Sequence, residues 1–136
     1  TFDAMGISNY LFLVYGEGGK KINKNIKFFN KRIPLESFEK NMQDSEILLD
    51  LVRNNQVGLS FRIFEAMAQQ KKVITTNDNV KIYDFYNPNN ILVIDPNDIK
   101  ISSDFLNNQY QPIPESIYKK YEISSWVNTL FNLKNQ

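Results

Sequence analysis

The sequence predicts an α/β domain with a mostly parallel sheet and helices on both faces. Short apolar runs alternate with amphipathic stretches along the chain, and clusters of Asn, Asp, Gly and Pro separate them. The chain has 136 residues, of which 42% are hydrophobic, and a chain of this size buries roughly 68% of the surface that its unfolded form exposes. We therefore expect residues 1–136 to form one domain with its own core.

The first third of the chain contains two strand patterns and one helix pattern. Residues 10–15 are apolar and aromatic and end at the glycine-rich residues 16–19, which predicts a buried strand. Residues 26–30 predict a second, shorter strand. The ten residues between the two strands are fewer than a parallel crossover usually needs, so the relative direction of the strands stays open. Pro34 and the apolar residues that follow it at helical spacing predict a helix over residues 34–43.

The middle of the chain alternates strand, helix and strand. Residues 46–52 are almost continuously apolar, as expected for a strand that is covered on both faces. After Gly58 the apolar residues recur at helical spacing, which predicts an amphipathic helix. Residues 72–76 are rich in β-branched side chains and end at the polar residues 77–79, which predicts another strand and a loop.

The last third contains one further strand and a terminal helix. Residues 87–90 predict a turn, residues 91–94 the last clear strand, and the polar, proline-containing residues 97–114 a loop with short helical pieces. Apolar residues then recur at i, i+3, i+4, i+7 and i+8, which predicts a helix with an apolar face. We expect core packing for that face, which consists of Ile123, Trp126, Val127, Leu130 and Phe131.

The composition excludes several classes of site. The chain has neither Cys nor His, so its own residues cannot build a zinc finger, a thiolate nucleophile, an imidazole general base or a Ser-His triad. Its 16 basic and 15 acidic residues leave a net charge of +1, which provides no global field to attract nucleic acid. No apolar run approaches the roughly 20 residues that span a bilayer. Because the first residue is Thr1 rather than Met, we expect a fragment of a longer protein.

Ligands of parallel α/β sheets bind beyond the carboxyl ends of the strands. In this chain that rule selects four segments as the rim of a site, namely residues 15–19, 53–58 and 75–78 and Asp95. Residues 16–21 have the glycine and lysine of a phosphate-binding loop but not its spacing, and we interpret them as a connecting loop. No strand is followed by the Gly-x-Gly-x-x-Gly pattern of dinucleotide-binding dehydrogenases.

Residues 54–68 contain the most informative pattern. Gly58 frees the backbone between strand and helix, Ser60 caps the helix, and the first N–H groups together with the helix dipole form a seat for phosphate. Arg62 in the first turn adds a guanidinium group for a diphosphate, and Glu65 could accept hydrogen bonds from a ribose diol. The alternative is that Arg62 and Glu65 form an ordinary i,i+3 pair on the helix surface.

Two other features each have two interpretations. Asp50 lies in an apolar strand, and an unpaired buried carboxylate is costly. We therefore expect it to accept hydrogen bonds from loop backbone or from Arg53 rather than to act in catalysis. The aromatic residues 83–86 follow a strand-end loop, where they could stack on a base or pack under the sheet as the start of a helix.

The segments Phe64–Ala68 and Lys72–Thr76 resemble the donor-binding half of GT-B glycosyltransferases. A closer resemblance is to bacterial lipopolysaccharide, capsule and exopolysaccharide biosynthesis proteins of that fold, and it covers about residues 9–96. This similarity is carried by residues 48–52 and 56–60, Arg62, Glu65, residues 74–77 and 83–87, Asn90 and Ile91.

The resemblance implies the carboxy-terminal half of a GT-B fold, a Rossmann-like three-layer domain that holds a nucleotide-sugar and faces a missing amino-terminal acceptor domain. It implies that Glu65 contacts the ribose and that Ser60 and Arg62 hold the diphosphate. Together with three residues from the rim segments at 53–58 and 75–78, the candidate donor-binding residues are Gly58, Ser60, Arg62, Glu65, Thr76 and Asn77. Many retaining relatives have a second glutamate where this chain has Val57, so retention or inversion stays open. The resemblance also allows the terminal helix to cross back to the missing domain.

We therefore predict the donor-binding domain of a nucleotide-sugar-dependent glycosyltransferase in cell-surface polysaccharide biosynthesis. We expect no metal, no cofactor besides the substrate nucleotide-sugar, no nucleic-acid partner and no transmembrane segment in this chain. No catalytic residue is assigned, because the general base is expected from the missing domain. The predicted location is the cytoplasm, with a peripheral position at the inner face of the membrane left open for the full-length protein. The alternative function is a non-catalytic α/β protein-interaction module.

Overall fold

The structure, a computed structural model, describes residues 2, 6–15, 24–31, 33–53 and 56–133. These residues form an α/β structure with two small parallel sheets and several helices. Contacts within the chain divide it into two compact units, Thr1–Asp44 and Ser45–Gln136. The prediction that the whole chain is one domain stays a prediction.

The first unit contains two parallel strands and one helix. β1 (Phe12–Tyr15) pairs with β2 (Ile26–Phe29), and the pairing is parallel, which answers the question of direction that the sequence left open. α1 (Leu35–Gln43) follows Pro34, whose fixed φ suits the start of a helix. The glycine-rich loop predicted for residues 16–21 lies outside the described residues.

The second unit is built on a three-stranded parallel sheet. β3 (Ile47–Asp50) and β5 (Ile91–Val93) flank the central strand β4 (Lys72–Thr75). α2 (Phe61–Ala68) lies between β3 and β4 in the chain, and a 3₁₀ helix (Asp78–Ile82) follows β4. All four residues of β4 are buried, as expected of a central strand. These elements confirm the strands and the helix predicted for the middle of the chain.

Short helices follow the last strand. α3 (Ser103–Asn107) lies in the stretch predicted as a loop with short helical pieces. α4 (Glu115–Tyr118) leads into a second 3₁₀ helix (Lys119–Tyr121), and α5 (Ile123–Leu130) is the predicted terminal helix. Within the described ranges, no helix has the length and hydropathy needed to cross a lipid bilayer.

Two apolar clusters cover opposite faces of the three-stranded sheet. Neighbouring residues of a strand point to opposite faces, so Val73 and Ile74 of β4 belong to different clusters. The cluster with Val73 also contains Ile63, Ala66, Met67, Val80, Phe85 and Ile91. The cluster with Ile74 contains Ile94 and, from α3, Phe105. The sheet is therefore covered by α2 on one face and by α3 on the other, as the sequence predicts.

The apolar face of α5 does not lie in the core, and the core prediction is wrong for this helix. The exposed fractions of its large side chains are 79% for Ile123, 60% for Trp126 and 57% for Leu130, and that of the adjacent Phe131 is 65%. Helical spacing identifies an apolar face, but it does not say whether another element covers that face.

An aromatic cluster is centred on Phe85, which is 2% exposed. Its ring centroid lies 6.0 Å from that of Phe64, 5.3 Å from that of Tyr83 and 4.8 Å from that of Tyr121. The Phe85 and Tyr121 rings meet edge to face, a favourable geometry for aromatic pairs. Of the two interpretations of residues 83–86, core packing is the one that the structure shows for Phe85.

Lys72 is a buried lysine that joins β4 to the end of α3. Its Nζ donates hydrogen bonds to the backbone carbonyls of Phe105, Leu106 and Asn108, at 2.8, 2.9 and 2.7 Å. The ammonium group also lies 5.2 Å from the centroid of the Phe105 ring. Burial lowers the pKa of Lys72, and the nearby charge of Glu46 opposes that shift. A cation at the carbonyl end of a helix satisfies groups that the helix itself leaves unpaired.

Candidate functional site

The candidate site lies where β3 and β4 end and α2 begins. Asp50 and Thr75 are the last residues of these two strands, and the parallel register places them side by side. Ser60 directly precedes α2, and Arg62 lies in its first turn. This is the carboxyl edge of a parallel sheet, the edge at which α/β domains bind their ligands.

Asp50 is the centre of a hydrogen-bond network at this edge. Its carboxylate is 2% exposed. Oδ1 accepts a hydrogen bond from the Ser60 hydroxyl at 2.7 Å, and Oδ2 accepts one from the Thr75 hydroxyl at 3.1 Å. Nη1 of Arg62 lies 3.9 Å from Oδ1, an ion-pair distance. The sequence suggests Arg53 or loop backbone as the partner, whereas the charged partner in the structure is Arg62.

Ser60 occupies the N-cap position of α2 but does not cap it with its side chain. The helix has no side-chain cap hydrogen bond, and the Ser60 hydroxyl donates to Asp50 instead. The prediction of the position is confirmed, and the prediction of the capping bond is wrong. The reason is tertiary: the bond that the Ser60 hydroxyl donates to Asp50 sets the direction of the side chain, and in that direction the oxygen accepts no hydrogen bond from the helix N–H groups.

The conformation of the loop before α2 does not require a glycine at Gly58. Among the described glycines only Gly6 has a positive φ, and a Cβ built on Gly58 would meet no atom within 4 Å. The Gly58 carbonyl accepts hydrogen bonds from Nδ2 of Asn77 at 3.1 Å and from Nε2 of Gln56 at 3.2 Å. The backbone freedom inferred from the sequence is therefore not used by the fold, and the open side of Gly58 faces free space.

Thr76 and Asn77 connect the two loops of the site. Oγ1 of Thr76 accepts a hydrogen bond from the backbone N–H of Val52 at 3.0 Å. Asn77 is buried, and besides holding Gly58 it accepts a hydrogen bond from the backbone N–H of Asn79 at 3.2 Å. Nδ2 of Asn79 in turn donates to the carbonyl of Val57 at 3.0 Å. Both predicted residues thus lie at the site, where their side chains hold the loops.

Arg62 and Glu65 present the charged side of α2. The Arg62 side chain is 42% exposed, and Glu65 is exposed one turn further along the helix. The alternative interpretation of these residues was an i,i+3 surface pair, whereas the ion pair that the structure records for Arg62 is with Asp50. Both charged groups can therefore be reached from solvent, and Arg62 also lies at ion-pair distance from Asp50.

The other predicted rim segments do not add to this network. Oδ1 of Asp95 accepts a hydrogen bond from the backbone N–H of Asn97 at 2.8 Å, which closes a local turn after β5. Residues 16–19 lie outside the described part of the chain. In the parts of the chain that the structure describes, no group of three or more acidic residues could hold a metal ion.

Sequence reasoning places Thr75 in the rim, but it predicts neither the bond between Thr75 and Asp50 nor the bond between Asp50 and Ser60. A signal for the first bond was available, because Asp50 and Thr75 end two successive strand patterns and a parallel register brings such residues together. The bond to Ser60 has no equivalent signal, since it depends on how closely α2 packs against the strand ends.

A groove of about 320 Å³ lies elsewhere on α2. It runs along the second half of that helix, and its lining includes Phe64, Met67, Tyr118, Tyr121, Glu122 and Ile123. None of the predicted site residues lines it. The groove is mostly apolar and lacks the cations that a phosphate-containing ligand would need, so we do not place the candidate site there.

Tyr121, in the wall of this groove, is expected to ionise with a midpoint near pH 12. Burial, helped by a 2.6 Å hydrogen bond from its hydroxyl to Oδ1 of Asp84, raises its pKa from the ordinary value of 10.0 to about 12. The unfolded chain loses this proton first, so stability falls as the pH rises between these two values. An ultraviolet titration of tyrosinate should show the late step, and Tyr121→Phe should remove it. A last ionisation near pH 10 in the wild type would contradict the structure.

No family model, no curated protein and no solved structure matches this chain. The assignment of the site therefore depends on the chemistry of its own residues.

Proposed function

We propose that this chain is the donor-binding domain of a nucleotide-sugar-dependent glycosyltransferase in bacterial cell-surface polysaccharide biosynthesis. The proposal includes a Rossmann-like three-layer domain that forms the carboxy-terminal half of a GT-B fold. The observation that carries it is the position of Arg62, which is half-exposed at the start of α2, beside the carboxyl ends of two parallel strands. The resemblance of residues 48–94 to such enzymes supports the same function.

The diphosphate of the donor would bind at the start of α2. The first backbone N–H groups of the helix carry partial positive charge, and Ser60 does not cover them with its hydroxyl. Arg62 adds a full positive charge on the same turn. When the bond between the sugar and the diphosphate breaks, negative charge develops on the departing oxygen, and these donors stabilise it.

The nucleoside would extend from the diphosphate along the exposed side of α2. Glu65 lies one turn beyond Arg62, so its carboxylate could accept two hydrogen bonds from a ribose diol. Gly58 has open space where a side chain would be, which allows a ligand to approach its backbone closely. The acceptor, the general base and an amino-terminal domain would lie outside this chain, in a cytoplasmic enzyme.

The test is a titration of the chain with UDP, GDP, CMP and their sugar conjugates, followed by NMR. We expect one nucleotide to shift the backbone amide signals of residues 58–65. Glu65→Ala should weaken its binding by about tenfold, the loss expected for one hydrogen-bonded charged group. Gly58→Ala should also weaken binding without lowering the free energy of unfolding, because the added methyl group meets no atom of the chain within 4 Å.

Glu115→Ala is the matched control, since Glu115 is exposed on α4, in the same unit as the site, and pairs with Lys119. It should leave nucleotide binding unchanged. The absence of shifts at millimolar concentrations of every nucleotide would contradict the proposed function, as would binding that Glu65→Ala and Gly58→Ala leave intact.

A second candidate function is a non-catalytic protein-interaction module. The exposed apolar face of α5 favours it, because large apolar patches on a protein surface commonly mark contact sites. The titration separates the two functions: an interaction module would bind no nucleotide at residues 58–65.

A further inference from the structure

The partners of Asp50 come from two different elements. Thr75 belongs to the neighbouring strand, whereas Ser60 and Arg62 belong to the start of α2. A carboxylate as deeply buried as this one is costly unless polar or charged partners surround it. Hence the orientation of both α2 residues is linked to the charge of Asp50.

Ser60 and Arg62 determine which hydrogen-bond donors are exposed to solvent at the start of α2. A serine at the N-cap usually accepts a hydrogen bond from an N–H of the first turn, but Ser60 directs its hydroxyl to Asp50 at 2.7 Å. The Arg62 side chain lies with Nη1 3.9 Å from the same carboxylate oxygen and stays 42% exposed. A guanidinium group has five N–H donors, so a contact of one edge with Asp50 leaves others for a ligand.

We propose that Asp50 is a positioning residue that holds the Arg62 guanidinium group and turns the Ser60 hydroxyl away from the N–H groups of α2. The consequence for ligand binding rests on the proposed function. The guanidinium N–H groups of Arg62 and the first backbone N–H groups of α2 are ordered before the diphosphate of the nucleotide-sugar binds. A free arginine side chain would have to be ordered on binding, which costs affinity. Asp50 itself is too buried to contact the ligand.

The test compares wild type with Asp50→Asn, which keeps the shape and an acceptor for Ser60 but removes the charge. The direct measurement is the NMR signal of the Arg62 side chain, through the exchange of its Nε–H with water and the rotation of its guanidinium group. We expect Arg62 to exchange about tenfold more slowly than the exposed Arg53 in wild type. In Asp50→Asn we expect that difference to disappear and UDP, or the nucleotide found to bind, to bind about tenfold more weakly.

Asp98→Asn is the matched control. Asp98 is an exposed aspartate after β5 that lies outside the rim segments and pairs with Lys100 instead of Arg62. It should change neither the Arg62 signal nor nucleotide binding. Backbone amide spectra of each variant show whether it is folded. Because the comparison of Arg62 with Arg53 is made in wild type, it remains decisive even where Asp50→Asn does not fold.

The outcomes separate the inference from the proposed function. Equal exchange of Arg62 and Arg53 in wild type overturns the positioning role, and so does an Arg62 signal that is unchanged in a folded Asp50→Asn variant. A protected Arg62 that loses its protection only in Asp50→Asn supports the role. A wild-type chain that binds no nucleotide overturns the proposed function, whatever the Arg62 signal shows.

Discussion

Replacing Phe85 with alanine is expected to lower the free energy of unfolding of the second unit by about 3–5 kcal/mol, the range measured for large aromatic residues in protein cores. The Phe85 ring is 2% exposed, and it contacts the rings of Phe64, Tyr83 and Tyr121. Its removal leaves a cavity and also takes away the central member of the aromatic cluster. Chemical denaturation, followed by circular dichroism, measures the change.

Phe61→Ala is the control for this prediction. Phe61 is the first residue of α2 and is 86% exposed, so its truncation should change stability by no more than about 0.5 kcal/mol. A similar loss of stability in both variants would mean that Phe85 is not in the core. The contrast matters for the site as well, since the apolar cluster that contains Phe85 also contains Ile63, Ala66 and Met67 of α2.

Lys72→Met is expected to cost about 3 kcal/mol, because three carbonyl groups lose a charged donor in a place that water reaches poorly. The methionine fills a similar volume, so the loss measures the hydrogen bonds more than the packing. Lys100→Met is the control: Lys100 is exposed and pairs with Asp98 on the surface, and such pairs contribute about 0–1 kcal/mol. Equal losses in the two variants would contradict the buried position of Lys72.

The difference in the free energy of unfolding between wild type and Lys72→Met is expected to depend on pH. Burial lowers the pKa of Lys72 below its ordinary value of 10.5, so between the native and the unfolded pKa the native chain binds fewer protons than the unfolded chain. Stability due to this group therefore rises with pH across that window. The free energy of unfolding of wild type should increase relative to Lys72→Met as the pH approaches 10.5. A relative decrease would mean that the three carbonyl contacts outweigh burial and raise the pKa instead.

Local patterns in the sequence account for most of the second unit. The β-branched run at residues 72–76 is found as β4, and the helical spacing after Gly58 is found as α2. Both have a clear local signal, because the period and composition of neighbouring residues indicate the type of element. The relative direction of β1 and β2 could not be predicted in this way. It depends on the path of the connection between them, and the sequence of that connection has no helix or strand pattern.

The candidate site was predictable in its location but not in its internal contacts. The rule for parallel sheets brings Gly58, Ser60 and Asn77 to one edge, and the structure places them there. The partner of each side chain depends on distances between elements. Ser60 has a local preference for capping α2, but its side chain is directed by the hydrogen bond that it donates to a carboxylate ten positions earlier in the chain.

The exposed face of α5 contains a fluorescent side chain, that of Trp126. Trp126 is the only tryptophan in the sequence, and its side chain is 60% exposed. The indole emission of the chain therefore comes from this one helix and should resemble that of an indole in water. A shift of that emission to shorter wavelength, on dilution, concentration or mixing, would report the covering of this face and of no other part of the molecule.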